Sequence, residues 1–580
     1  MSDFTAGRQV GRAGTHPAAG TLPVMVLLAA LAALPAGLAM IRTVPIGAMY
    51  WDLLIYFDAA NRIFDGQVPN RDFFPPVGPL GYWLFAGGLK LFPNAQPLLL
   101  VDWSLLAVTG PLMALVVADV GARSRAAAFA LLLPFLFFSL LPFDVENFSA
   151  FPGVDGFGIY NRQAARILYV LASALVFCEG TRRMGVVVAG AMLALFLTKI
   201  TGFIAGGLLC ALAFVAGRVR LSTTVAAVLA FAGALMLLEA QTGVVGAYLR
   251  DIEMLVVMNQ GGILGRFLQA ASVHFGVLLP CLLLTGTLAA LGARPLIGET
   301  LALARRPSLP ALAALLDQPI CWLAVSAFAA LFYETQNTGS QAFIFAWPAL
   351  LLTLSRAGVW QGWRTAVVIA LVAACSLPTL MNLVERCGRS AVGALKYERL
   401  ETANLGTVGA VTQRGELMRH ADTLLDAYVR NPGFYRGFAE MGQLPSFQMF
   451  AEPDYQIAFL KTLDEAVGAI DLYETANGTR FETVMNLGFV NPFPFLLDRH
   501  APKAISIGAD PFRTVPPPNE AVAAAVRATD LALYSKCPET AANRDLLKLY
   551  EPFLTDHSRV SLGRCWDGFV RNGLLRTVGN

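Results

Sequence analysis

Tyr50-Trp51-Asp52-Leu53-Leu54-Ile55-Tyr56-Phe57-Asp58-Ala59-Ala60-Asn61-Arg62-Ile63-Phe64-Asp65-Gly66 leads directly into Gln67-Val68-Pro69-Asn70-Arg71-Asp72-Phe73-Phe74-Pro75-Pro76-Val77-Gly78-Pro79-Leu80. This block of acids, arginines and aromatics follows at once on the first membrane-length apolar run, Leu22–Ile41. Ionisable groups beside lipid are costly and gather where they bind or react. Tyr50–Phe64 lacks Pro and Gly and reads as a short helix at the membrane surface, with Leu53, Leu54, Phe57, Ala60, Ile63 and Phe64 available for burial. Gly66 ends it, and Pro69, Pro75, Pro76 and Pro79 stiffen the return path.

Working outward, the 580 residues are 56% hydrophobic and 14% charged, with a mean hydropathy of +0.58. Soluble domains carry about 25% charged residues, so the chain reads as a polytopic, all-α membrane protein. The net charge of +3, with no basic tract, sets nucleic acid aside as a partner. Apolar runs fall near 22–41, 77–92, 98–118, 126–143, 164–180, 184–198, 202–217, 221–240, 267–293, 319–333, 341–355 and 365–383, which predicts about 11–13 transmembrane helices. Ala-Gly-Leu-Ala within the first run resembles a signal-peptide end, but the run continues into the acidic block and reads as an anchor. Past Val384 the runs shorten, so residues 1–383 form the membrane domain and 384–580 a second domain with a core of its own.

Arg123/Arg125, Arg182/Arg183, Arg218/Arg220, Arg294/Arg305/Arg306 and Arg356/Arg364 occupy alternate loops, which the positive-inside rule assigns to the cytoplasm. The block after Ile41, the loops 144–163, 241–266 and 334–340, and the C-terminal domain then face outward. One conflict stands in this reading. Two full spans at 77–92 and 98–118 would put Arg123 and Arg125 outside, so one of those segments must fail to cross if the arginine pattern holds.

Of eight cysteines, five lie in apolar runs as small packers, while Cys537 and Cys565 share the outward domain, where an oxidising compartment permits a disulfide. Cys387 follows the last run without an evident partner. No Cys/His set has zinc spacing, so no metal ligands are assigned. In the outward domain, helical stretches at 416–429, 464–473 and 520–529 alternate with strand-like runs at 481–487, 504–508, 531–534 and 560–562, the pattern of a small α/β domain. Asn491-Pro492-Phe493-Pro494-Phe495 reads as a rigid loop that could lie over the membrane site.

Asp52 stands between an apolar run and an aromatic helix, where partial desolvation raises a carboxylate toward a general-base pKa. Asp58 is the second candidate, although Asp58–Arg62 and Arg71–Asp72 also read as ordinary surface pairs worth about 0–1 kcal/mol. Lys199, in Leu-Thr-Lys-Ile-Thr-Gly between two short apolar runs, is expected at the outward tip of a hairpin, where it either neutralises a phosphate or merely snorkels. Tyr160, Asn161, Arg162 and Arg166 follow an irregular Gly- and aromatic-rich loop and could line a sugar or phosphate site; an interfacial aromatic belt is the plainer alternative. Glu334, Gln336 and Asn337 lie in a short polar turn that could add hydrogen bonds to the same pocket. His274 reads as a lone satisfied histidine, and Asp102 and Glu239 receive no role.

Trp51-Asp52, Tyr56, Ala59-Ala60, Gly66, Pro69, Arg71-Asp72-Phe73 and Gly78-Pro79-Leu80 together resemble the first outward loop of the GT-C superfamily of glycosyltransferases, in the bacterial branch similar to protein mannosyltransferases and aminoarabinose transferases. The resemblance covers about residues 20–360. It implies a GT-C-like membrane fold, a polyprenyl-phosphate sugar donor and an acceptor at the outer face. It also implies an aspartate base at the position of Asp52, with Asp58 as second choice, and a lysine like Lys199 at a span ending; Tyr56, Arg71 and Asp72, within the same motif, are taken as candidate substrate contacts. Asp52 is followed by Leu53, where some branches carry an Asp-Glu pair, so a second carboxylate is left undetermined.

These readings combine into an inverting glycosyltransferase of a bacterial inner membrane, multi-pass, with its C-terminal domain in the periplasm and a periplasmic glycan, lipid or protein as acceptor. No cofactor is required by the sequence, and there is room for a divalent cation. The alternative is a non-enzymatic transporter or lipid flippase, which predicts paired repeats and polar groups at the bilayer midplane. A scaffold subunit recruiting partners through its outward domain is the third reading. The enzyme reading requires Asp52 and Lys199 to converge on one pocket.

Overall fold

The computed structural model describes residues 21–146, 149–259, 261–335, 342–357, 361–444 and 452–574. The membrane half opens with α1 (Thr21–Met40) and the short strand β1 (Val44–Pro45), followed by α2 (Asp52–Phe64), α3 (Leu80–Leu91), α4 (Pro97–Trp103), α5 (Leu106–Gly121) and α6 (Arg125–Leu140). Next come α7 (Ile159–Phe177), α8 (Thr181–Thr198), α9 (Ile200–Val215), α10 (Leu221–Thr242) and α11 (Val244–Met258). Then follow α12 (Ile263–Val273), α13 (Phe275–Leu291), α14 (Ala293–Arg305), α15 (Leu309–Leu316), α16 (Pro319–Glu334), α17 (Trp347–Arg356) and α18 (Trp363–Ala394). Five helical stretches among the described residues are long and apolar enough to cross a membrane: α1, Pro97–Gly121, α8, α10 and α18. The bent pairs α12–α13 (89°) and α15–α16 (70°) raise this to seven. Three shorter apolar helices and the fully interior α7 fill out the bundle, in keeping with the expected multi-span helical class.

The structure resolves the topological conflict. Residues 80–91 form a helix of 12 residues, about 18 Å long against a hydrocarbon core of about 30 Å. It packs on α2, with Phe85 against Tyr56 and Phe57, and does not cross. The arginine loops then share one end of the bundle. Arg123 donates to Phe177 O at 2.6 Å, Asp119 accepts from the backbone of Glu179 and Gly180, Arg218 pairs with Asp317 at 2.6 Å, and Arg356 donates to Asp317 O at 3.2 Å.

The opposite end carries α2, α3, residues 142–146 and 149–158, the α8–α9 junction and the C-terminal domain. The last span does not stop at Leu383: α18 continues to Ala394, so Cys387 lies inside the helix. Beyond it come β2 (Glu398–Arg399), β3 (Val411–Gln413), α19 (Gly415–Arg430), α20 (Pro432–Glu440), α21 (Pro453–Asn477), β4 (Val484–Asn486), α22 (Phe493–Leu497), α23 (Glu520–Ala528), β5 (Leu531–Ser535), α24 (Ala541–Tyr550), β6 (His557–Ser561) and β7 (Trp566–Arg571). One sheet has the order β4-β5-β7-β6, with only β4 and β5 parallel. The other, β1-β3-β2, stitches the domain to the chain just before the acidic block, pairing Val44 with Val411. Cys537 and Cys565 form the expected disulfide.

Three local expectations are corrected. Residues 504–508 are not a strand; Ala504 and Ile507 donate backbone bonds to Asp72 O and Phe74 O instead, which pins the segment to the membrane half. Asn491–Phe495 is not wholly loop, because α22 begins at Phe493, and its Phe495 packs on Phe57 at 4.7 Å. Asp58 is no surface acid. It pairs with Arg62 at 2.7 Å, the two side chains only 2% and 0% exposed, and Arg62 also donates to Pro502 O at 2.6 Å. The C-terminal domain covers the pair, so Asp58 and Arg62 fasten the two halves. Removing one partner of such an enclosed pair costs about 3–5 kcal/mol. Asp58→Ala should therefore lower the denaturation free energy of detergent-solubilised protein by that amount, and a change below about 1 kcal/mol would contradict the burial.

Candidate functional site

The site begins with backbone packing. The 149–157 loop runs beside residues 45–50, with Gly47 N donating to Val154 O, Val154 N to Pro45 O and Gly156 N to Ala48 O. A Cβ at Gly156 would stand 2.2 Å from Met49 O, so only glycine permits this approach. The loop is locked from the other side. Arg386 donates to the carbonyls of Asp144 (2.5 Å) and Glu146 (2.6 Å) and pairs with Asp155 at 2.5 Å, while Arg162 donates to Pro142 O and Asp155 O. This packing delivers Gly158, the residue that starts α7, to Asp52.

Asp52 is the first residue of α2, and its carboxylate accepts from the Gly158 backbone N–H and from the Trp51 side chain. It therefore sits at two helix N-termini, where the dipoles favour negative charge. Burial outweighs this and raises its pKa to about 7, against the pull of those hydrogen bonds.

Three residues further along α7, Asn161 Oδ1 accepts from Lys199 Nζ at 2.5 Å. Lys199 is the single extended residue between α8 and α9, the expected hairpin tip. Its ammonium lies 4.7 Å from the Tyr333 ring and 5.5 Å from the Tyr160 ring, contacts worth on the order of 1 kcal/mol each. Tyr333 in turn donates to Asn161 O at 2.8 Å. A second close approach fixes the hairpin: Gly78 N donates to Thr198 O at 3.1 Å, and a Cβ on Gly78 would stand 2.3 Å from Leu197 O. The groups that Asp52 and Lys199 contact, Gly158 N and Asn161 Oδ1, are thus three residues apart at the start of α7.

Other expected site residues are distributed unevenly. Tyr56 is buried beside Tyr82 and Phe85, one turn of α2 beyond Asp52. Arg162 and Arg166 both bind other parts of the chain. The former donates through Nη1 and Nη2 to loop carbonyls, the latter through Nη1 and Nη2 to Asp102 at 2.8 and 3.1 Å. Arg71 pairs with Asp72 at 2.7 Å and donates to Thr242 O, joining the acidic loop to the end of α10. Gln336 and Asn337 lie outside the described residues. Glu239 caps the start of α11 through Val245 N and Gly246 N.

The sequence reading missed a further set. His274, at the break between α12 and α13, has Glu146 at 3.4 Å on one ring nitrogen and Glu334 at 3.3 Å on the other. Glu334 directly follows Tyr333, whose ring lies 4.7 Å from the Lys199 ammonium, so this chain of charges starts one residue from the lysine's own neighbour. Burial raises the Asp144 and Glu146 carboxyls to about 8 and about 7 in the neighbouring loop. No sequence spacing signals this group, since its members come from three separate parts of the chain. Among the described residues no three His, Cys, Asp or Glu side chains are arranged to hold a metal ion.

No family model matches this chain, and no curated protein matches it. Among solved structures it is similar to crystal structures of ArnT from Cupriavidus metallidurans, in the apo state and bound to undecaprenyl phosphate. Each has 15% identity and a TM-score of 0.38, over 96% and 97% of this chain and 98% of that one. It is also similar to the archaeal oligosaccharyltransferase AglB from Archaeoglobus fulgidus in complex with an inhibitory peptide and a dolichol-phosphate. That match has 12% identity and a TM-score of 0.27, over 93% of this chain and 72% of that one.

The Asp52 environment has a direct spectroscopic consequence. A wild-type minus Asp52→Asn infrared difference spectrum should show a protonated-carboxyl band that disappears as pH rises through about 7. Titration near 4, the ordinary carboxylate range, would contradict the desolvation.

Proposed function

We propose that this protein is an inverting glycosyltransferase that uses a polyprenyl-phosphate sugar as donor and works at the outward, periplasmic end of its helical bundle in a bacterial inner membrane. One observation carries the reading: a carboxyl with its pKa near neutrality and a buried ammonium are held on the same turn of α7. The likeness of the acidic loop to GT-C enzymes supports the same conclusion. The rival transporter reading calls for polar groups at the midplane, yet the buried Arg166–Asp102 pair on α7 is bidentate, each group holding the other.

In the proposed reaction, the Asp52 carboxylate takes the proton from an acceptor hydroxyl as its oxygen bonds to the anomeric carbon. The bond from that carbon to the phosphate oxygen breaks, and the polyprenyl phosphate departs with the electron pair. Lys199 holds the charge that develops on the phosphate. Tyr160 and Tyr333 keep the ammonium in place from either side, and Glu334 sets the field behind it. Arg162 acts at one remove, as a positioning residue, by fixing the loop that ends in Gly158. Asp58 is not part of the step. The acceptor is a glycan, lipid or protein presented from outside.

Two outcomes test the proposal. With membranes supplying polyprenyl-linked sugars, Asp52→Asn should reduce transfer by about 10²–10⁴-fold while binding of a long-chain polyprenyl phosphate persists. Transfer by Asp52→Asn at the wild-type rate would remove Asp52 from the mechanism. Wild-type activity should rise with pH through about 7, because the base works only when deprotonated. A rate that falls across that interval would contradict the assignment.

A further inference from the structure

The last span is longer than a membrane requires. Its 32 residues measure about 48 Å, against a hydrocarbon core of about 30 Å. Counted from Arg364 at the arginine-rich end, about 20 residues cross that core. Its far edge then falls near Val384, and the remaining turns of α18 rise through the headgroup layer beside the C-terminal domain. The helix is divided lengthwise. Arg386 faces inward, onto the carbonyls of Asp144 and Glu146. On the other side Leu377, Met381, Val384, Val392 and Leu395 form an exposed apolar stripe at helical spacing, with Gly388 continuing it between Val384 and Val392.

Where this stripe leaves the core it meets a groove of about 680 Å³ between the end of α18 and the Arg414–Gly415 turn, lined by three cations, Arg389, Lys396 and Arg414. Two of them are already oriented. Arg389 Nη2 donates to Ala150 O at 3.2 Å, and the Arg414 guanidinium lies 5.9 Å from the centre of the Phe151 ring. Both residues remain exposed, and a guanidinium has five N–H donors, so each keeps capacity for an anion. Among the described residues Lys396 and Arg414 form no ion pair, while Arg389 has Glu385 at 3.5 Å with both side chains about half exposed. Glu398, set against the Gly415 backbone, is a second acid at the rim. The Tyr397 hydroxyl is folded onto Gly393, where a Cβ would stand 2.3 Å from it, and has no hydrogen-bond partner.

We infer that this groove binds an anionic membrane phospholipid, its phosphate among Arg389, Lys396 and Arg414 and one acyl chain along the Val384–Met381–Leu377 stripe. The site is separate from the one around Asp52 and Lys199 and does not rest on the reaction proposed there. Charge and depth select the occupant together. The cations stand at the height of lipid phosphates, where each strengthens attachment to an anionic surface about fivefold, and the guanidinium forks match phosphate oxygens. A free anion would use the cations and leave the stripe bare, whereas a lipid covers both. Arg389 and Arg414 also hold the 149–157 loop at Ala150 and Phe151, so a lipid bound to them ties the loop that seats Gly158 to the membrane surface.

The test uses the full chain in phosphatidylcholine nanodiscs containing graded phosphatidylglycerol, with retained lipid counted by native mass spectrometry after release into mild detergent. Wild-type protein should retain phosphatidylglycerol in preference to phosphatidylcholine. The Lys396→Gln/Arg414→Gln double variant should bind it about 25-fold more weakly, at about fivefold per cation, and the charge-keeping Lys396→Arg/Arg414→Lys variant should keep most of the affinity. Val392→Glu, which leaves all three cations in place, should also expel the lipid by putting a negative charge on the groove wall. Equal retention of the two lipids by wild type, or wild-type retention in the double Gln variant, would overturn the inference. Displacement of phosphatidylglycerol by inorganic phosphate would overturn the lipid assignment in favour of a free-anion site.

Discussion

A helix that begins inside a membrane protein has no water for its first N–H groups, which must find partners from the chain itself. At α7 those partners are chemically unusual. The carboxylate of Asp52 takes the N–H of Gly158, and three positions on, Asn161 is bound through its side chain to Lys199 and through its carbonyl to Tyr333. Satisfying one buried helix start thus gathers an acid and a base that lie 147 positions apart in sequence numbering. Three further features at this end of the bundle serve that placement: the glycine-rich loop pressed on residues 45–50, Arg386 and Arg162 gripping it from within, and Gly78 docked against the α8 terminus.

The C-terminal domain is part of the same construction. It pairs β3 with β1 beside the acidic block, covers the Asp58–Arg62 pair, and sets Phe489 on Trp51 at 4.8 Å, next to the carboxyl that matters most. Trp51 N also donates to Gln456 of α21 at 2.9 Å. The low-dielectric surroundings that lift the Asp52 carboxyl toward neutrality therefore come from both halves, and the same coverage confines Asp58 to a structural role. Two acids six residues apart on one helix are given different duties by what packs over them.

Much of this was legible in the sequence for identifiable reasons. Lys199 could be placed at a hairpin tip because arginine loops bracket two short apolar runs, and Cys537–Cys565 could be paired because both lie in the C-terminal domain, which the arginine pattern reads as outward. The α3 segment was not legible as a short helix, since apolar composition alone does not distinguish a span from a helix buried against α2. Asp58–Arg62 has the spacing of a surface pair, and its burial depends on Pro502, 440 residues downstream. His274, Asp102 and Arg166 looked isolated or available for the same reason: their partners come from other helices, and a linear pattern carries no record of them. The strand Trp566–Arg571 also escaped notice, because its Asp-Gly interrupts an otherwise strand-like run.

Catalysis of sugar transfer, on this account, needs the carboxyl and the ammonium to address one substrate from adjoining positions on α7. The most direct measurement is a cryo-EM structure of the full chain with a polyprenyl-phosphate donor analogue bound. The account predicts phosphate density within hydrogen-bonding distance of Lys199 Nζ and the anomeric carbon on the side facing Asp52. Phosphate bound at the arginine-rich end of the bundle, or near Lys199 with a wall of side chains between it and Asp52, would contradict it.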